Sequence, residues 1–497
     1  MSEEFVIREV DIQKDAAKLA EMWRASDDQW PGTWSGGTEI TPAMVMEGYE
    51  RERMLNVYVV ETPEGDKIVG YCGLNERQEE KGVGYVDLLN VQPGYQGRSL
   101  GRRLLQRCIE RCVELKFHLL TLHTWAGNLK AVPLYKKVGF FWVPDTSVWM
   151  LNFMPAILTL PCAQDYFSRH DWYRTFKREL TQEEDDERWE GMKVCTYHWE
   201  EGGEALTVWA DREAWRITAV ETDAFFAGAI AGNIEPPKGM PVMIRWRFVN
   251  KRSRPVTVSL VAMGTEHLTL DARATATVAP GATWELERPV QVSQSAPDVP
   301  GRKPVPAVRT LFIVDGEVLE LGTGLRPKPA IEVSTYPEYV TLSPGVSSVV
   351  SLQLHSALRD AVQAKVNITA APGLSVTPSA QDVEVPARGW AGVPVELEAT
   401  EDGVYPIYVT VAFGEGMAAP QRLAIFCLGP GGVLADRGEK ETRLENAGLR
   451  VLLKAHGGEV GLYTSESHTR LGSYRERLGP PFYPSEFDQR EFDIDVR

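Results

Sequence analysis

The segment Val91-Gln92-Pro93-Gly94-Tyr95-Gln96-Gly97-Arg98-Ser99-Leu100-Gly101 leads out of an alternating apolar stretch, Val83 to Val91, and into a helical pattern from Arg102 to Leu115. A strand that turns through small residues into a helix directs several backbone N–H groups at one point beside the helix N-terminus, where the helix dipole adds positive potential. That arrangement suits a pyrophosphate. The elements around it alternate in the same way. Phe5 to Val10 reads as a strand and Asp15 to Ala25 as a helix with apolar residues at Ala16, Leu19, Ala20 and Trp23. Thr41-Pro42 opens a second helix that runs to about Arg53, proline being tolerated in a first turn. Strands follow at Asn56 to Glu61, Lys67 to Asn75 and Val83 to Val91. The helix from Arg102 and a strand at Leu119 to Trp125 come next, then a short helix and closing strands near Phe140 to Val143 and Ser147 to Phe153.

A second motif lies downstream, Asn128-Leu129-Lys130-Ala131-Val132-Pro133-Leu134-Tyr135-Lys136-Lys137-Val138-Gly139-Phe140. The first segment resembles motif A of the GNAT N-acetyltransferases, V-x-P-x-x-(Q/R)-G-x-(G/A)-x-(G/A), and the second resembles the family's motif B, N-x-x-A-x-x-L-Y-x-x-x-G-F. The two stand in the family's order and separation, and the resemblance covers about the first 155 residues. One position departs from it. Ser99 stands where a glycine is usual, and the cradle survives that change provided the backbone there needs no φ above zero.

The resemblance implies a mixed central sheet flanked by helices, with acetyl-CoA as co-substrate and no metal. It puts the backbone of Gln96, Gly97, Arg98, Ser99, Leu100 and Gly101 around the pyrophosphate, with the side chains of Gln96, Arg98 and Arg102 flanking it. Leu89 and Val91 would offer backbone groups to the pantetheine arm, and Asn128 would bond the pantetheine amides. An amine attacks a thioester only when neutral, so the reaction needs a base, and the departing thiolate needs a proton. Asp87, in the strand before motif A, is the candidate base, against the plainer reading that it caps or pairs locally. Tyr135 is the candidate acid, its phenol keeping a proton at neutral pH, against the reading of a packed core tyrosine.

Composition narrows the partners. With 53 Lys and Arg against 69 Asp and Glu, the net charge is −16, which argues against nucleic acid or anionic membrane as a general partner. Nothing at the N-terminus reads as a signal peptide and no apolar run approaches membrane-spanning length, so the expected compartment is cytoplasmic. Six scattered cysteines make neither a disulfide scaffold nor a zinc pair, and Cys108 and Cys112 read as core thiols on one helix face.

Beyond Pro155 the pattern changes to short alternating runs broken by Gly, Pro and Asp, the pattern of antiparallel sandwiches. The expected organisation is multidomain: an α/β acetyltransferase unit at 1–155, a solvated linker with a short helical stretch and the acidic run Glu183 to Glu187 at 156–190, a β-sandwich at 191–329 and an immunoglobulin-like β-sandwich at 330–428. A hairpin segment at 429–497 completes it. Leu206, Val208, Ile217 and Val220 repeat the spacing of Leu449, Val451, Val460 and Tyr463, so the last hairpin is expected either to pair with the 191–329 unit or to begin a further β domain.

The resemblance implies as acceptor a primary amine in a small molecule, an amino sugar or a peptide. Asp27, Asp28, Trp30 and Trp34, between the first two helices, are candidates to meet it, the carboxylates holding a cation and the rings stacking. The same residues can equally cap a helix and pack beneath the loop. A second class of function stays open: a protein that binds a glycan or another protein through its β units, its acetyltransferase domain acting as a sensor or catalytically silent.

Overall fold

The structure, a computed structural model, describes residues 4–29, 35–52, 54–77, 81–125, 127–128, 130–299, 303–414, 416–418, 420–438, 441–454 and 459–475. The N-terminal part is a seven-stranded mixed sheet of β1 (Val6–Glu9), β2 (Asn56–Glu61), β3 (Ile68–Glu76), β4 (Val83–Val91), β5 (Leu119–His123), β6 (Phe141–Trp142) and β7 (Trp149–Asn152). Its order is β1-β2-β3-β4-β5-β7-β6, and only β4 and β5 run parallel. Helix α3 (Leu100–Glu114) makes the crossover between them, α1 (Ile12–Ser26) and α2 (Pro42–Glu52) precede β2, and α4 (Ala131–Lys137) follows β5.

Period decides which face each side chain covers. On β2, Tyr58 and Val60 join the core beneath α3, while Val57 and Val59 join a second cluster under α1 with Leu19 and Trp23. Along α3, Leu100, Leu104, Leu105, Cys108, Ile109 and Cys112 form the buried stripe. On its outer side Arg107 and Arg111 both pair with Glu114. Cys108 and Cys112 are buried free thiols, with Cys108 Sγ 3.5 Å from Cys72 Sγ.

Among the described residues the remainder is antiparallel apart from a two-residue parallel pairing of Thr341–Leu342 with Gln421–Cys427 and an isolated parallel bridge between Pro237 and Lys328. An eight-stranded sheet drawn from 187–292 packs on a four-stranded one drawn from 256–324, and a second pair of sheets at 331–427 encloses its own apolar core. Among the described residues no helix is long and apolar enough to cross a membrane.

The α/β unit and the first pair of β-sheets do not have separate cores. One apolar cluster runs from Phe5 to Leu325, and across the join Phe141 meets Tyr197 at 4.9 Å and Trp149 meets Trp215 at 5.7 Å between ring centroids. The Tyr197 hydroxyl, fully buried, donates to the Gly139 carbonyl at 2.7 Å and accepts from the Phe153 N–H at 2.8 Å. Gly139 takes φ +101°, and a Cβ there would stand 2.8 Å from Met154, so glycine is needed for the contact.

One expectation is corrected here, and one of two alternatives is removed. The stretch 156–190 is docked and not a solvated linker. It holds the short helices Pro161–Phe167 and Trp172–Thr175 after the end of a third, Met154–Ile157, and Asp185 of its acidic run turns inward while Glu183, Glu184 and Asp186 stay exposed. Asp185 accepts from the Trp142 N–H at 2.7 Å and from Lys136 Nζ at 3.0 Å, and pairs with Arg178 at 2.8 Å. Lys136 is fully buried, so its charge needs this partner, and burial pulls its ammonium pKa down while Asp185 opposes the fall. The C-terminal hairpin, in turn, does not pair with the 206–222 hairpin, which lies inside the eight-stranded sheet. Described residues 433–475 form their own five-stranded meander. It docks on the strand Thr341–Leu342 through Glu445, which accepts from Thr341 Oγ1 at 2.8 Å while pairing with Arg450. Residues 455–458 of that hairpin's turn and the Pro480 to Arg497 segment lie outside the described residues.

Removing the Tyr197 hydroxyl should test this join. Tyr197→Phe leaves a buried carbonyl and a buried N–H without their partner, a cost of about 1–3 kcal/mol. The expected result in denaturant unfolding is a lower midpoint; an unchanged midpoint would show that ring packing alone holds the units together.

Candidate functional site

The site is opened by a parting of strands. β4 pairs with β5 only from Val83 to Val86, against Leu119 to Leu122, so the backbone from Asp87 to Val91 continues with no strand on that side. A bulge on the other side falls at the same place. Cys72 of β3 faces Leu89 while Leu74 faces Val86, so Asp87 and Leu88 together stand opposite Gly73 alone. Val86 and Leu89, three residues apart, therefore pack on the same side, and Leu88 packs on the other.

The parted strands border a cleft of about 560 Å³ that reaches the head of α3. There the first helical hydrogen bond runs from the Arg103 N–H to the Ser99 carbonyl at 3.0 Å. The N–H groups of Leu100, Gly101 and Arg102 thus have no partner within the helix. Gln96 Nε2 donates to the Val91 carbonyl at 3.0 Å and closes the turn. The condition placed on Ser99 is not met: it sits at φ 61°, ψ 14° in the left-handed region, with no capping bond from its side chain. Its Cβ makes that conformation costly, and the turn holds it there nonetheless.

Gln96, Gly97, Ser99, Leu100, Gly101 and Arg102 line the cleft, as do Leu89 and Val91. Arg98 does not. Its guanidinium lies over the rings of Phe5, at 5.7 Å, and Tyr95, at 5.6 Å, which turns it from the expected anion. Asn128 lines the cleft with its amide already engaged: Nδ2 donates to Thr124 Oγ1 at 2.9 Å and Oδ1 accepts from the Ala131 N–H at 3.3 Å. Its Oδ1 thus meets the first N–H of α4.

Asp87 and Tyr135 lie on walls of the same cleft, Asp87 half-buried on the bulge and Tyr135 buried on α4 against Phe140. Burial pushes the Tyr135 phenol above its ordinary pKa, so it stays protonated throughout the neutral range. Of the loop candidates, Asp27 accepts from the Ser35 N–H at 2.7 Å and from its hydroxyl at 2.9 Å, and so ties the loop ends together. Asp28 is exposed and neither aspartate lines the cleft, although Gln29 does. Trp30 and Trp34 lie outside the described residues.

The sequence reading missed Tyr85, His123 and Trp125, which also line the cleft. Tyr85 had a signal, standing two residues before Asp87 on one strand. His123 and Trp125 required knowing that the end of β5 faces the parted half of β4. Tyr173 lines the cleft too, from the stretch expected to be a linker, and nothing local in the sequence marks it.

Residues 19–140 match the family model described as the acetyltransferase (GNAT) family. A search of curated proteins finds none that matches. Solved structures similar to the chain include yncA from Salmonella typhimurium with its cofactor acetyl-CoA, at 20% identity and TM-score 0.26 over 30% of this chain and 94% of that one. An acetyltransferase of the GNAT family from Streptococcus pneumoniae aligns at 20% identity and TM-score 0.25 over 30% and 96%. A GNAT-family N-acetyltransferase from Escherichia coli in complex with CoA aligns at 16% identity and TM-score 0.24 over 31% and 83%.

Replacing Ser99 by glycine should relieve the left-handed serine. Ser99→Gly is expected to stabilise the chain by about 0.5–1 kcal/mol in denaturant unfolding, the Cβ penalty outweighing glycine's extra chain entropy. A loss of stability would mean that the serine side chain contributes more than its backbone costs.

Proposed function

We propose that this protein, whose N-terminal part is a GNAT acetyltransferase domain, transfers the acetyl group of acetyl-CoA to a primary amine by direct attack within a ternary complex. The observation that carries the reading is the cleft itself. Parted parallel strands run directly to a helix head whose first N–H groups are unspent, and a carboxylate and a protonated phenol line the walls. The head of α3 suits the pyrophosphate, and the β5-side edge of the backbone from Asp87 to Val91, which has no strand beside it, suits the amides of a pantetheine arm, which could complete that edge of β4. The bound thioester would supply an activated acetyl carbonyl.

The protein's own groups then handle protons. Asp87, directly or through water, takes the proton of the incoming ammonium so that nitrogen can attack. Tyr135 donates to the departing sulfur, and its burial keeps that proton in place until it is needed. Tyr85, His123 and Trp125 give the Asp87 end of the cleft aromatic walls, an environment that attracts a cationic amine before it is deprotonated. A small amine, an amino sugar or a peptide amine each carries the required group. A purely binding role for the domain is the weaker reading, because it leaves this proton-handling pair unexplained.

Turnover of acetyl-CoA against a panel of such amines tests the proposal, and CoA binding without turnover on any of them would favour the binding role. Tyr135→Phe should lower kcat by about 10²-fold with acetyl-CoA affinity little changed, because the packing stays and only the hydroxyl is lost. Asp87→Asn should move the rising limb of the pH–rate profile to higher pH, where more of the amine is already neutral. Full activity of both variants at pH 7 would assign proton transfer to water or to other groups.

A further inference from the structure

The chain is acidic overall, yet one end of the cleft gathers cations. Arg102 and Lys130 line it, and Lys137 stands three residues beyond Leu134, whose side chain lies 3.3 Å from where a Cβ on Gly101 would sit. Lys137 is thus one turn along the α4 face that meets the head of α3. Among the described residues none of these three cations has a carboxylate partner within ion-pair distance. Arg102 Nε is buried with no hydrogen-bond partner, a costly state for a guanidinium.

What collects the cations is Tyr173. The Arg102 guanidinium lies 4.8 Å from its ring centroid and Lys137 Nζ 5.5 Å. Tyr173 lies outside the family match and is held by the β region. Asp171 accepts from its N–H at 2.9 Å and starts the short helix Trp172–Thr175. Trp199 Nε1 donates to the Trp172 carbonyl at 2.8 Å, Phe176 packs on Trp199 at 5.4 Å, and the Lys177 N–H donates to the His198 carbonyl at 2.8 Å. Lys137 Nζ also donates to the Phe176 carbonyl at 3.4 Å. The segment is therefore hung along the strand Met192–Glu201 and presents Tyr173 to the cleft.

We infer that Arg102 and Lys137, gathered on the ring of Tyr173, bind the 3′-phosphate of coenzyme A, so that the β region completes the cofactor site of the acetyltransferase domain. The inference rests on the acetyl-CoA reading above. In coenzyme A the 3′-phosphate is one ribose away from the pyrophosphate, and Arg102 directly follows the turn that suits the pyrophosphate. Two unneutralised cations, one with a spare buried donor, match a dianion there. Tyr173 is a positioning residue, since it acts through the two cations.

Calorimetry on the full chain with coenzyme A and with 3′-dephospho-coenzyme A tests this. The wild type should bind coenzyme A at least about tenfold more tightly, a preference that shrinks as salt is added. Tyr173→Ala and Lys137→Ala should bring the ratio towards one while leaving 3′-dephospho-coenzyme A affinity nearly unchanged, and Tyr173→Phe, which keeps the ring, should retain the preference. Equal wild-type affinity for the two ligands would overturn the inference and leave the acetyl-CoA reading standing. A ratio unmoved in Tyr173→Ala, or equal losses for both ligands, would likewise overturn it. Binding of neither ligand by the folded wild type would sink the acetyl-CoA reading and this inference with it.

Discussion

The buried hydroxyl of Tyr197 ties two kinds of structure into one body. It satisfies a carbonyl at Gly139 and an N–H at Phe153, backbone groups beside β6 and β7 that would otherwise be buried without partners. The same region protects the sheet edge. β6 is the last strand, and Asp185 pairs with Trp142 in both directions, the Asp185 N–H donating to the Trp142 carbonyl at 2.8 Å and its carboxylate accepting in return. An exposed strand end is thereby covered by the β region's own chain. The cleft depends on this because Lys136, which holds Asp185, is the neighbour of Tyr135 on α4.

The cleft follows from a conflict within the sheet. A parallel pair joined through α3 would ordinarily continue to pair, but the bulge at Asp87 and Leu88 changes which residues share a face, and β4 leaves β5 after four residues. Backbone groups left without a ladder inside a sheet are expensive unless a ligand or water meets them. The parting is therefore more telling than the size of the cavity.

Local costs accumulate at the same place. Ser99 holds a left-handed conformation that glycine would adopt freely, and Arg102 keeps a buried nitrogen unpartnered. Asn128 spends its amide on the start of α4, so its effect on a ligand is chiefly through where it sets Ala131 and the helix behind it. Packing elsewhere, above all the continuous core from Phe5 to Leu325, supplies the stability that permits these costs.

The sequence by itself determined the order of elements, the turn ahead of α3 and the carriage of Asp87 on a strand and Tyr135 on a helix, because these depend on period and on residue types close together in the chain, and the resemblance carried by its two motifs implied the mixed sheet. β2 and β4 begin and end where alternation placed them, and the α3 stripe is legible from its spacing. Tertiary structure alone decided the rest. Within the acidic run Glu183 to Glu187, Asp185 reads as solvated like its neighbours until Lys136 and Arg178, more than forty and seven residues back, are seen to face it. Arg98 reads as a phosphate ligand until Phe5 offers it a ring, and Ser99 reads as harmless until the turn imposes its φ. Tyr173 belongs to the cleft only because a strand twenty to thirty residues further on holds it there. Such contacts join residues whose local patterns carry no trace of one another, so no reading by period or motif could reach them.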